Sequence, residues 1–144
     1  MLRARAGDWL DTGDFGYLAD RELYVTGRLK DLIIKNGRNY SPERIEQLAG
    51  LVEGVRRCAA FGIFDEAKST ERIVLMIETP TRYLKDAEMR DRLRLRVRGE
   101  LGEAGYQVDE ICLLPKSALP LTTSGKVRRR QCRETYLQQS NRAG

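Results

Sequence analysis

The chain of 144 residues is 41% hydrophobic and 33% charged, contains no histidine, and carries a formal net charge of +5. That length makes one domain, or one domain with a fragment of another, and the charge content fits a soluble protein. Without histidine the commonest general base is missing and Ser-His or Cys-His nucleophilic chemistry is excluded, which leaves lysine, arginine and carboxylates to act.

The opening "MLRARAGDWLDTGD" lacks the apolar segment of a signal peptide, so the cytoplasm is the expected compartment. Residues 8–29 predict a hairpin, with "FGYL" and "ELYVTG" as strands and "ADRE" as the turn. "DLIIKNGRNY" predicts a short apolar strand ending at a glycine turn. "SPERIEQLAGL" carries a helix start, with Ser41 as N-cap, Pro42 in the first position and Glu43 in the first turn; Ile45, Leu48 and Ala49 form its buried stripe and Gly50 offers a stop. "VRRCAAFGIF" and "RIVLMIE" are two strands separated by "DEAKSTE". Residues 84–104 form the longest helical pattern, with Met89, Leu93, Val97 and Leu101 as one apolar stripe. "VDEICLLP" is a further strand. The basic stretch after Gly125 predicts a last short helix with apolar contacts at Val127, Tyr136 and Leu137. This order fits a small α+β domain, mainly an antiparallel sheet flanked by helices, better than a doubly wound sheet. No apolar run approaches the roughly 18 residues that span a bilayer.

The cysteines, Cys58, Cys112 and Cys132, are odd in number and scattered, which disfavours a disulfide framework, and they lack the spacing of zinc ligands. The positive balance points to an anionic partner, with nucleic acid, nucleotide phosphates and an acidic protein as candidates. Nucleic acid is disfavoured, because no aromatic residues interleave the basic ones and 21 acidic residues accompany them.

Several stretches carry polar groups in positions to act. Asp14, between Gly13 and Phe15, could meet ribose hydroxyls, or could be a turn aspartate bonding its own backbone. Arg28 offers a planar fork for sugar or phosphate oxygens, and with Lys30 and Asp31 it could equally form a charged strand edge that resists aggregation. Gly37 permits close backbone approach or positive φ. "LPLTTSGKVRRR" presents Lys126 on a polar, mobile loop with no apolar anchor between Leu121 and Val127; Ser124 as a helix N-cap, with Lys126 an ordinary solvated charge, is the alternative.

Taken in order, "TGD", "GRLKDLI", "GRNYSPERIE" and "TTSGK" resemble the adenylate-forming acyl ligases, the superfamily of acyl-CoA synthetases, luciferases and nonribosomal-peptide adenylation domains. The resemblance covers residues 8–136 and is to the mobile C-terminal domain, preceded by the last hairpin of the large N-terminal domain. It implies residues 1–29 as that hairpin and linker, 30–137 as a C-terminal lid, and 138–144 as a flexible tail. The wording "VTGRLKDLIIKNGRNYSPERIE" is most similar to the fatty acyl-AMP ligases, which pass a fatty acyl group to an acyl carrier protein instead of coenzyme A.

The resemblance implies roles residue by residue. Asp14 and Arg28 would contact the nucleotide, Lys30 would be the hinge, Gly37 would line the pantetheine path, and Lys126 would bridge the carboxylate and the α-phosphate during adenylation. A second lysine used by some relatives aligns with Ile34, with Lys35 on the opposite face. ATP with magnesium would be bound mainly by the N-terminal domain, whose phosphate loop, acyl pocket and metal-binding glutamate are outside these 144 residues. Arg90, Arg94 and Arg98 fall along one side of their helix, with Arg92 and Arg96 on another. They are either a solvated face or a docking face for an acidic carrier protein or the large domain. A non-enzymatic basic docking or nucleic-acid-binding module remains the alternative class.

Overall fold

The computed structural model describes residues 3–5, 8–9, 14–19 and 22–28 as strand backbone and residues 31–143 throughout, with side chains from 31 to 141. The first strands are β1 (Arg3–Arg5) and β2 (Asp8–Trp9), an antiparallel pair, and β3 (Asp14–Ala19) and β4 (Glu22–Arg28), the hairpin expected there. "DLIIKNGRNY" forms two strands where one was expected. β5 (Ile33–Lys35) turns at Asn36 and Gly37 and returns as β6 (Arg38–Tyr40). α1 (Pro42–Gly50) begins as its sequence predicts: Ser41 Oγ accepts from the Arg44 N–H, Pro42 occupies the first turn, and Ile45, Leu48 and Ala49 are buried.

β7 (Arg57–Asp65) and β8 (Thr70–Glu78) pair antiparallel. The chain then forms a short α2 (Thr81–Lys85) and a longer α3 (Ala87–Glu103). The helical pattern of 84–104 thus divides at Asp86, whose Oδ1 caps α3 by accepting from Glu88 N at 2.9 Å and Met89 N at 3.3 Å. The side chain of an aspartate competes with helix continuation and satisfies the next helix's first donors instead. β9 (Glu110–Leu114) lies parallel to β8, because α3 carries the chain back across the sheet before β9 starts. The last helix, α4 (Arg129–Ala143), is 15 residues long and continues through the segment expected as a tail.

Sheet β7-β8-β9 has no solvent face along its centre. Cys58, Ala60, Ile73, Leu75 and Ile77 point to a core shared with Ile45, Leu48 and Ala49 of α1 and Leu93, Val97 and Leu101 of α3. The intervening residues Ala59, Phe61, Ile63, Val74 and Met76 face a second core, closed by Leu119 and by Cys132 and Tyr136 of α4. Burial on both faces makes the strands read as continuous apolar runs. Tyr136 also closes the second core with hydrogen bonds: Arg72 Nη2 donates to its hydroxyl at 2.9 Å, and that hydroxyl donates to Glu110. Leu137 was expected to pack but is 38% exposed; Cys132, at 1%, takes the inward position.

Candidate functional site

Lys126 sits at the end of a closed turn. The segment leading to it is rooted where Leu119 is buried and donates its N–H to Glu78 Oε2 at 2.9 Å. Leu121 and Val127 then form an antiparallel bridge across the turn. Inside it, Thr122 N donates to Lys126 O at 2.7 Å, Gly125 N to Thr122 O at 2.9 Å, and Lys126 N to Thr122 Oγ1 at 3.1 Å. Gly125 has φ +85°, a conformation that a side chain would strain. The expectation of a loose, unanchored loop is therefore corrected: Leu121 and Val127 pair with each other and the hydroxyls tie the turn internally. Ser124 is no helix cap either, since its Oγ lies 3.0 Å from Thr122 Oγ1 and α4 begins only at Arg129. Lys126 itself is exposed, and among the described residues no carboxylate lies within ion-pair distance of its ammonium.

The other foot of the turn is a charge cluster that the sequence reading did not single out. Arg129 grips Glu46 with two bonds, Nε to Oε2 and Nη2 to Oε1, both 2.7 Å. Its Nη1 lies 3.2 Å from Glu43 Oε1 and 3.4 Å from Asp31 Oδ2. Glu46 Oε2 also accepts the Ala60 N–H at 2.9 Å, so one carboxylate joins α1, β7 and α4. Burial works against the Arg129 charge, but the Glu46 hydrogen bonds and the surrounding carboxylates outweigh it and hold the guanidinium protonated more firmly than usual. Lys126, Arg128 and Arg130 share with these acids a cleft of about 930 Å³. In the sequence the signal was "PERIE", two carboxylates three residues apart on one helix face, opposite the "RRR" run.

The β5–β6 hairpin projects a second candidate, Gly37. Asn36 and Gly37 both have positive φ, 52° and 78°, the combination that a tight two-residue hairpin requires. Nothing lies within 4 Å of where a Cβ on Gly37 would be, so backbone conformation and not crowding demands glycine there. The hairpin is pinned from its flanks: Glu71 Oε2 accepts the Ile34 N–H at 2.6 Å, and Thr70 Oγ1 accepts the Asn36 N–H at 2.8 Å. Lys35 Nζ donates to Asp109 Oδ2 at 2.9 Å and to Gln107 O at 3.1 Å, while Ile34 on the opposite face is 52% exposed.

Residues 44–126 match the family model described as the AMP-binding enzyme C-terminal domain. The chain belongs to that family. A long-chain-fatty-acid–AMP ligase of Mycobacterium tuberculosis, FadD28, is 41% identical over 137 residues, which are 92% of this chain and 23% of that protein. A Mycobacterium leprae protein provisionally named a fatty-acid–CoA ligase, fadD21, is 41% identical over 138 residues, again 92% of this chain and 23% of that one. A chain from the structures of fatty acyl-adenylate ligases from E. coli and L. pneumophila superposes with a TM-score of 0.76 at 35% identity, covering 96% of this chain and 24% of that one. The chain thus spans about a quarter of the length of the relatives it matches, and its fold is that of their C-terminal domains.

Within this AMP-binding enzyme C-terminal domain the other expected site residues are placed as follows. The backbones of Asp14 and Arg28 are partners across the β3–β4 hairpin, and their side chains are outside the described residues, as is Lys30 altogether. The arginine row of α3 combines exposure with contacts to the chain itself: Arg98 is exposed, and Arg90 and Arg94 are half-buried. Arg90 Nη1 donates to Leu84 O at 2.8 Å, Arg94 Nε to Ile111 O at 3.4 Å, and Arg98 to the carbonyls of Val108 and Asp109. Lying beside the apolar stripe, these three reach around the helix to the chain's own carbonyls. Among the described residues no three metal-ligating side chains are grouped to hold a metal ion.

The Lys35–Asp109 pair gives a pH test of the hairpin's anchor. Burial by itself would raise the Asp109 carboxyl, but the hydrogen bonds from Lys35 and from the Ile73 N–H hold it below the usual range. A depressed carboxyl stabilises the fold above its unfolded value of about 4 and loses that contribution as pH falls through the folded value. Asp109→Asn should therefore lower the urea midpoint at pH 7, with the deficit shrinking as pH drops from about 4 toward 2. Equal deficits at both ends of that range would show that the pair contributes no charge-dependent stability.

Proposed function

We propose that residues 30–137, extended by α4, form the catalytic lid of an ATP-dependent fatty acyl-AMP ligase, and that residues 1–29 close its large N-terminal domain. The observation that supports this most is Lys126: a cation without a carboxylate partner among the described residues, on a turn fixed at both feet. In adenylation a carboxylate oxygen attacks the α-phosphorus of ATP and pyrophosphate leaves. Two anions must approach, and a point-like ammonium between them stabilises the transition state more than the separated reactants. A turn with a fixed shape suits this task, because preorganised charge need not be rearranged during the reaction.

The remaining roles follow from the same reading. Asp14 and Arg28 contact the ribose hydroxyls and nucleotide, Lys30 is the hinge, and the Gly37 hairpin lines the pantetheine path when the lid turns for transfer. With Ile34 exposed where a second lysine would be and Lys35 held by Asp109, the transfer step uses no lysine from β5. Magnesium ligands come from the N-terminal domain. The acyl acceptor is the phosphopantetheine of an acidic carrier protein, as supported by the kinship with a protein named an AMP ligase. The kinship of equal strength with one named a CoA ligase favours coenzyme A as the second reading.

In the full-length ligase, Lys126→Ala should slow acyl-AMP formation on the order of 10²–10³-fold while largely sparing transfer from preformed acyl-AMP. Equal losses in both half-reactions would assign the lysine a structural role instead. Supplied with both acceptors, the enzyme should load the phosphopantetheinylated carrier and make little acyl-CoA, and added salt should slow loading by screening the encounter. Efficient acyl-CoA synthesis indifferent to salt would place the chain in the coenzyme A branch.

A further inference from the structure

The Lys126 turn has two feet of different kinds. One is apolar and deep, with Leu119 in the second core and its N–H on Glu78. The other is electrostatic, with Arg129 three residues beyond Lys126 at the first position of α4. Between them the Arg128 N–H donates to Pro120 O at 2.9 Å, so any displacement of Arg129 is passed to the segment that leads into the turn. We propose that Arg129 is a positioning residue that holds the Lys126 turn in register with α1, a role resting on the reading of Lys126 given above.

Three observations carry this. The pairing is planar and bidentate, and only a guanidinium can reach Glu46 with two parallel bonds while a third nitrogen faces Glu43 and Asp31. It is sheltered, with 19% side-chain exposure for Arg129 and 16% for Glu46. By contrast, Arg130 and Glu134 next to it are 86% and 59% exposed, so that pair contributes little. Finally, one cation faces three carboxylates. Without it Glu43 and Glu46 of α1 and Asp31 before β5 would be left without the cation that neutralises them, and the first turn of α4 would lose its tie to α1.

The displacement should be local. Cys132 and Tyr136 hold the rest of α4 in the second core, and Tyr136 is further fixed by Arg72 and Glu110. Loss of Arg129 therefore loosens the turn without detaching the helix, and its catalytic consequence passes through Lys126.

Two measurements test this together. In the 144-residue chain, Arg129→Gln should speed amide hydrogen exchange at Arg128 and Cys132 about tenfold or more and leave Leu75 and Val97 unchanged. In the full-length ligase, Arg129→Gln should slow adenylation about tenfold or more with Lys126 present, but less than about twofold in a Lys126→Ala background. Unchanged exchange at Arg128, a uniform rise that includes Leu75 and Val97, or losses that multiply in the double variant would each overturn the proposal. If Lys126→Ala alone leaves adenylation intact, the reading of Lys126 falls, and the exchange data still decide whether Arg129 holds the turn.

Discussion

Strand β8 is buried on both faces from Val74 to Ile77, and this constraint orders the rest of the domain. A three-stranded sheet cannot hide both faces by itself, so each helix is placed by the face it covers. α1 and α3 take one face and α4 the other. Burying each large aliphatic side chain is worth about 1.5–3 kcal/mol, so these helices are held chiefly by the apolar residues they insert. To bring α4 to the second face after β9, the chain passes through 115–128. The segment carrying Lys126 is thus the connection that double coverage requires, rooted at the sheet by Leu119 and Glu78.

Charge then refines what burial sets. The domain is rich in arginine, but its arginines do different work. Arg90, Arg94 and Arg98 tie α3 to carbonyls of the chain, whereas Arg92 pairs with Glu88 in the open, where an ion pair has little effect. Arg129 differs because its partners are sheltered and come from separate elements. Lys35 and Asp109 do the corresponding work for the Gly37 hairpin. Both proposed functional points, the lysine turn and the glycine hairpin, are therefore small projections with firm bases. That arrangement suits the proposed lid, which would move as one piece and present different groups in different states.

Much of the fold could be read directly. The strands β7 and β8 announce themselves as apolar runs, α1 by Ser41 and Pro42, and α3 by the stripe at Leu93, Val97 and Leu101. Three features were hidden for physical reasons. Asp86 interrupts a pattern whose apolar spacing barely registers the break, because capping is a hydrogen-bond choice and not a hydrophobic one. The parallel partnership of β9 depends on the path of α3, which periodicity within β9 cannot convey. The Arg129 cluster joins residues 83 positions apart, beyond the reach of any local pattern. Of the site, Lys126 and Gly37 stood out because a short polar turn advertises itself. The closure of the Lys126 turn did not, since a Leu121–Val127 bridge looks like two ordinary apolar residues.

The proposed function rests on a single ammonium delivered by a shaped turn, and chemical replacement of that group tests it most directly. In the full-length ligase, Lys126→Cys treated with 2-bromoethylamine lets the thiolate displace bromide and rebuilds a side chain of nearly lysine length ending in an ammonium. The domain's own thiols are poor competitors. Burial, reinforced by Glu46, pushes Cys58 up to about 12 and Cys132 to about 11, and burial with Glu110 pushes Cys112 to about 11. Adenylation lost in the cysteine variant should return on alkylation, while the same treatment of a Lys126→Ala variant restores nothing. Failure of the alkylated enzyme to recover, with labelling at position 126 verified by mass, would contradict the claim that the turn exists to place this charge.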